Sequence, residues 1–203
     1  MIGIVNYNMG NLASVSNAFT KLGIKTEIEN DPKNIQNYDK LLLPGVGAFG
    51  DAMTHLKSNG MDEAIKDFAA SGKPLLGICL GMQLLFESSE EFGSNDGLGL
   101  IDGEIVKFDE TKFDHKLKIP HMGWNEIFTE KNSPIFDGLP KDFYLYFVHS
   151  YHVVCDDKYT IGKTHYGYKF VSAVQKNNIY GIQPHPEKSH DNGLKILENF
   201  AKI

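Results

Sequence analysis

The chain opens on a short apolar run at 2–6, the pattern of a buried strand. Leu12, Val15, Ala18, Phe19 and Leu22 then recur at helical spacing, and Gly23 supplies a stop. Further strands are expected at 25–29 and 41–45, the second ended by Pro44-Gly45. Residues 51–71 carry a helical pattern with a break near Gly60. An apolar run over 74–81 leads into Gly77-Ile78-Cys79-Leu80-Gly81, and a helical pattern resumes over 82–91. Strand and helix alternate throughout this half, which predicts an α/β fold with a largely parallel central sheet flanked by helices. The second half reads differently. Short β-rich segments fall at about 99–108, 119–128, 143–148, 151–156, 161–167, 171–176 and 179–183. Their spacing suits hairpins and adds antiparallel strands to the sheet, and a last helix is expected at about 189–202. No linker, repeat or low-complexity stretch interrupts 1–203, so one domain is expected.

Composition narrows the function classes. The 203 residues carry a net charge of −6 and no basic run, which argues against nucleic acid or anionic membrane as a partner. No apolar stretch approaches the ~20 residues of a membrane span. The first residues lack the basic and apolar regions of a signal peptide, so a cytoplasmic protein is expected. All twenty basic residues are lysine. Bidentate arginine clamps are therefore unavailable, and an anion would be held by backbone N–H groups, Lys or a helix N-terminus. Cys79 and Cys155 make neither a disulfide framework nor a zinc motif, and no metal or cofactor is expected. Cys155 reads as a structural or incidental thiol.

The sharpest local feature is Gly77-Ile78-Cys79-Leu80-Gly81, the cysteine form of a nucleophile elbow. Glycines flank the nucleophile because the turn is tight, and the following helix N-terminus favours a thiolate and offers N–H donors. The plain alternative is a buried core cysteine. A cysteine nucleophile needs a base, and the base an orienting group. His55, His115 and His165 lie in polar stretches, His152 and His190 read as surface or edge positions, and His121 has no acid nearby in sequence. His185 differs. It follows an apolar strand pattern, lies between Pro184 and Pro186, and has Glu187 two residues on. Extended residues at i and i+2 share a face, so His185 and Glu187 can serve one pocket. The alternative is an exposed Pro-rich turn. The loop Leu43-Pro44-Gly45-Val46-Gly47 follows a strand, and its amides could complete an oxyanion hole with the Leu80 N–H. No Gly-x-Gly-x-x-Gly stands at the first strand–helix turn, which disfavours a dinucleotide site.

These segments together (GICLGMQLLFE, LPGVGAFGDAM and the distal HPE) resemble the class I triad glutamine amidotransferases. GNLASV, IPHMGWN, YFVHSY and HPEKS narrow the likeness to the glutaminase subunits that serve a (β/α)8-barrel cyclase in histidine biosynthesis. The resemblance implies that L-glutamine is hydrolysed and its ammonia channelled to that cyclase as heterodimer partner. It implies Cys79 as nucleophile, His185 as base and Glu187 as orienter. Gly45, Val46, Gly47 and Leu80 match the oxyanion hole, and Gln83, Glu91, Ser150 and Tyr151 match substrate-holding positions. Asn11, Trp124, Tyr146 and Lys188 match the partner interface or ammonia passage. Pro184, Asn6-Tyr7-Asn8 and His190 depart from the usual residues without removing a catalytic group. Two other readings stay open: a paralogue that feeds a cyclase-like partner in surface-sugar biosynthesis, and a non-catalytic regulatory subunit on the same fold.

Overall fold

A computed structural model describes residues 1–203. The first half supplies β1 (Ile2–Val5), β2 (Thr26–Glu29), β3 (Lys40–Gly45), β4 (Leu75–Cys79), β5 (Phe86–Ser89) and β6 (Asn95–Asp96). Helices α1 (Leu12–Lys21), α2 (Phe49–Ser58), α3 (Met61–Ala70) and α4 (Leu80–Leu84) are interleaved with them. The second half supplies β7 (Ile101–Lys107), β8 (His121–Thr129), β9 (Asp142–His149), β10 (Tyr151–Val154), β11 (Thr160–Tyr166), β12 (Tyr168–Lys176) and β13 (Ile179–Ile182). Helix α5 (His190–Lys202) closes the chain.

The sheet runs β2-β1-β3-β4-β13-β12-β10-β7-β5-β6, and a branch continues from β12 through β11 and β8 to β9. From β2 to β13 every pair is parallel; β13–β12 is the first antiparallel pair. Alternating side chains of the central strands feed two cores. Leu41 and Leu43 pack with Phe49, Leu56, Ile65 and Phe68 of α2 and α3. Leu42 faces the other way, with Phe19 of α1, Phe200 of α5 and the inner side of the branch, including Phe143 and Phe147.

One expectation fails. The helical pattern over 82–91 ends at Leu84, and Phe86–Ser89 is a strand parallel to β7. The returning chain takes the carbonyls that a longer helix would use: Leu98 N–H donates to Leu84 O (2.9 Å), and the Leu100 and Ile101 N–H groups both donate to Leu85 O. Phe86, fully buried, gains its packing as a strand residue.

Candidate active site

Cys79 is the last residue of β4 and stands immediately before α4. Its φ of 54° and ψ of −115° lie where non-glycine residues rarely go, the strain expected of a nucleophile held on a sharp strand-to-helix turn. The flanking glycines are obligatory for contact reasons. A Cβ on Gly81 would stand 1.7 Å from Leu43 O, and one on Gly77 would stand 2.7 Å from Gly81 O. β3 and the start of α4 therefore touch backbone to backbone.

Topology brings the other groups to the sulfur. β4 pairs in parallel with β3 on one side and with β13 on the other, in register Gly45↔Cys79 and Ile182↔Ile78. The C-terminal ends of three adjacent parallel strands thus place Gly45, Cys79 and the residues after Ile182 at one level. This is where open α/β sheets collect ligands. Beyond β13, the His185 N–H donates to Tyr146 O (2.9 Å), and Ser189 Oγ both donates to His185 O and accepts from Tyr146 N–H. These bonds fix the bend that the His185–Glu187 contact requires. His185 Nδ1 meets Glu187 Oε1 at 2.7 Å, with both side chains almost fully buried. His185 Nε2 is buried without a hydrogen-bond partner and is free for a reacting group. Burial alone would lower the His185 pKa; the neighbouring Cys79 sulfur and the Glu187 carboxylate outweigh it and push it up to about 10.

A cavity of about 270 Å³ opens over these groups. Cys79, His185, Val46, Gly47 and Leu80 line it, together with Gln83, Glu91, Ser150 and Tyr151. Gly45 stands just behind, in contact distance of Leu80 and of the Tyr7 hydroxyl. Glu91 reaches the cavity because Phe49 N–H, at the start of α2, donates to its Oε2 at 2.8 Å. Burial raises the Glu91 pKa, which readies the group for a cationic partner. Of the remaining residues picked from sequence, Trp124 and Lys188 are exposed, and Tyr146 is half-buried. Asn11 is exposed as the N-cap of α1, its side chain accepting from Ser14 N–H. Trp124 is 48% exposed, so it is no core indole. Its ring stacks on His190 with centroids 5.1 Å apart.

One expectation about a histidine is corrected. His152, on β10, is buried against Tyr168 and Phe170 of β12, not at the surface, with Nε2 2.8 Å from the Tyr168 hydroxyl. His121, unusual in its PHMGW setting but with no acid nearby in sequence, is buried against His149, with His121 Nδ1 2.9 Å from His149 Nε2. His149 itself lines the cavity and Gln183 meets Cys79 Sγ, and neither carries a local signal in the sequence. A larger groove of about 810 Å³ runs beside Phe108 and Cys155. His152, which also lines it, has both ring nitrogens engaged, and burial pushes the Cys155 thiol up to about 11.

The glutamine amidotransferase class-I family description matches residues 4–203. This chain belongs to the class I glutamine amidotransferases. It is thus an enzyme of the glutamine-hydrolysing kind. Among its relatives, the imidazole glycerol phosphate synthase subunit HisH of Sulfurimonas denitrificans is 70% identical over 203 residues, covering all of this chain and 98% of that one. The protein of the same name from Wolinella succinogenes is 59% identical over 204 residues, covering both chains entirely. The fold agrees with solved structures of low identity. A chain of PurLQS from Thermotoga maritima superposes with a TM-score of 0.78 at 19% identity, covering 99% of this chain and 97% of that one. A crystal structure titled glutamine amidotransferase gives 0.75 at 16%, with 98% of each chain covered. No helix is long and apolar enough to cross a membrane.

Proposed function

We propose that residues 1–203 form a single glutaminase domain, the ammonia-producing subunit of an imidazole glycerol phosphate synthase in histidine biosynthesis, working in the cytoplasm. The observation that carries the chemistry is the buried His185–Glu187 pair beside the strained Cys79, at the floor of a cavity walled by Glu91 and Gln83.

Glutamine enters with its α-ammonium toward Glu91 and its side-chain carboxamide over Cys79. The Cys79 sulfur attacks the carboxamide carbon, and the C=O electrons move onto oxygen. The Leu80 N–H at the start of α4, with amides of the Gly45-Val46-Gly47 strand, stabilises that oxyanion. His185, held in one orientation by Glu187, delivers its proton to the departing nitrogen. Ammonia leaves and a thioester remains. His185 then takes a proton from water, the hydroxide adds to the thioester carbon, and the C–S bond breaks to release glutamate.

The partner face is read from β8 and β9. Along β8 the even positions point outward: Met122 is 62% exposed and Trp124 48%. Across the pair they meet Val148 and Tyr146, and Tyr144 continues the patch opposite Glu126. Val148 also lines the cavity, so this apolar strip leads to its mouth. A (β/α)8-barrel cyclase docked here, with Asn11 and Lys188 at the rim, would receive ammonia directly. Met122 and Tyr144 join the interface on exposure alone.

The test is glutamate release with and without the barrel cyclase and its ribotide substrate, with Cys79→Ala as control. The expected result is weak basal activity, raised by that partner and abolished in the variant. Activity indifferent to the partner would reject the pathway and keep the chemistry, as a surface-sugar paralogue requires. Absence of Cys79-dependent release under every condition would reject the enzyme reading.

A further inference from the structure

The register that places Gly45 beside Cys79 places Gln183 on its other side, one residue beyond the Ile182↔Ile78 pair. Gln183 is fully buried, and its main chain is fixed by its N–H donating to Ser172 O at 2.9 Å. Its Nε2 stands 3.8 Å from Cys79 Sγ. A carboxamide can turn either end to a neighbour, so the question is what forces the N–H end toward sulfur.

The answer follows from donors and acceptors alone. Tyr151 O can only accept, so His149 Nδ1, 2.8 Å away, must donate to it. Burial holds the His149 pKa well below its ordinary value, so the ring is neutral and its Nε2 is an acceptor. His121 Nδ1 therefore donates to that Nε2, and His121 Nε2 accepts from Asn125 Nδ2 at 3.1 Å. Asn125 is itself unambiguous, because Nδ2 also donates to His165 O and Oδ1 accepts from Glu126 N–H. The same Tyr151 O faces Gln83 at 3.2 Å, so the facing atom must be Gln83 Nε2. That nitrogen also meets Gln183 at 3.0 Å, so the facing atom of Gln183 must be Oε1. Only Nε2 is left for the sulfur.

We propose that Gln183 is a catalytic residue of this site: its Nε2–H, turned toward Cys79 Sγ through Gln83 by the Tyr151 carbonyl, which the His149–His121–Asn125 chain holds in place, stabilises negative charge on the sulfur. It acts twice, once before attack and once as the C–S bond of the thioester breaks and its electron pair returns to sulfur. Within the chain, His121 and His149 are positioning residues. The chemistry rests on the glutaminase reading, but the contact between Gln183 and sulfur can be tested without glutamine. The other groups coupled to the sulfur are the His185 ring, with Glu187 behind it, and the Tyr7 phenol.

The experiment is the rate of alkylation of Cys79 by iodoacetamide against pH, on the full chain, with Cys79→Ala as blank. In Gln183→Met the rate at neutral pH falls about ten-fold, the lower end for a hydrogen bond to a charged group. Its acid limb moves to higher pH. Gln183→Glu keeps the shape but replaces the donor by an anion, and it loses more. His149→Phe, which frees Tyr151 O, moves the profile the same way by a smaller factor. Profiles of Gln183→Met and Gln183→Glu that coincide with wild type overturn the proposal. A second measurement needs no change at Gln183: its side-chain ¹⁵N–¹H resonances in wild type and in Cys79→Ala. A large shift is expected, and coincident resonances overturn the proposal. Glutamate release measured in parallel separates the two claims. If Cys79→Ala abolishes release while the Gln183 variants alkylate as wild type, the glutaminase reading stands and this role falls. If Cys79→Ala leaves release untouched, that reading falls, whatever the alkylation shows.

Discussion

His149 and His185 line one cavity and are buried alike, at 6% and 3% exposure, yet they ionise in opposite directions. His185 has a carboxylate on Nδ1 and a sulfur beyond, and its pKa is pushed up to about 10 despite burial. His149 has a main-chain carbonyl on Nδ1 and a neutral imidazole on Nε2, and burial holds its pKa well down. Burial by itself discharges a histidine; only an anion within hydrogen-bond reach reverses the sign. One ring is therefore equipped to carry a proton between sulfur, nitrogen and water. The other is a fixed neutral link whose service is direction.

The sharpest way to break this contrast is Glu187→Gln. The shape stays, the carboxylate goes, and the Cys79 sulfur alone is left to oppose burial at His185. Glutamate release should fall by roughly 10²- to 10⁴-fold, by analogy with neutralising the acid of a hydrolase triad. An NMR titration of the His185 ring should show its pKa drop. A ring that still titrates high would assign the shift to the sulfur alone.

The two sites also predict opposite pH slopes of stability. His121 titrates at about 4 in the fold, against 6.5 in an unfolded chain, so below 6.5 the unfolded state binds more protons. Stability then falls as pH drops from 6.5 to 4, by on the order of 3 kcal/mol for this ring. His185 works the other way. Its raised pKa contributes stability below 6.5 that is lost as pH climbs toward 10. Urea unfolding of wild type and His121→Phe at pH 7 and pH 5 tests the first slope; the variant should lose less on acidification. Equal losses would sink the neutral-link account.

What sequence could show was set by the range of the contact. The elbow around Cys79 and the His185-Pro186-Glu187 segment are local, and each lies beside the strand that positions it, so both were legible. Glu91 and Ser150 were legible only through family likeness. Gln183 meets Cys79 across 104 residues, and His149 meets His121 across 28. No periodicity marks such pairs, because they arise from which strands become neighbours. The helix expected over 82–91 failed for a related reason: residues 98–101 return to take its carbonyls, and propensity cannot foresee that capture. Tyr7 stands out in sequence only as a departure, yet its hydroxyl donates to Pro44 O at 2.8 Å, beside the Gly45-Val46-Gly47 segment.

β8 divides the two roles within one strand. His121 and Ile127 point inward, Met122 and Trp124 outward. Trp124→Ala should weaken association with the barrel cyclase by about 2 kcal/mol, the threshold of an interface hot spot. It should move the melting temperature little, since the ring is half in solvent. Calorimetric titration beside a melt of the isolated chain checks both. A large loss of melting temperature with unchanged affinity would return the indole to a structural role.

The smallest effect is expected at the third buried histidine, and it separates a link that serves the site from one that serves only the fold. His152 Nδ1 donates to Val153 O (3.1 Å), so Nε2 accepts from the Tyr168 hydroxyl, which in turn accepts from Asp109 N–H. Burial lowers the His152 pKa, as it does for its neighbours. This chain ends on the main chain of β10 and at the loop before Phe113, and it makes no bond to Gln83 or Gln183. Tyr168→Phe leaves Nε2 and the Asp109 N–H unpaired and should cost about 1 kcal/mol in urea unfolding for each of the two hydrogen bonds lost. Glutamate release and the alkylation profile of Cys79 should stay at wild-type values. If Tyr168→Phe slows alkylation as much as His149→Phe does, direction is not what His149 contributes, and the effect belongs to the stiffness of the whole aromatic nest around Phe108.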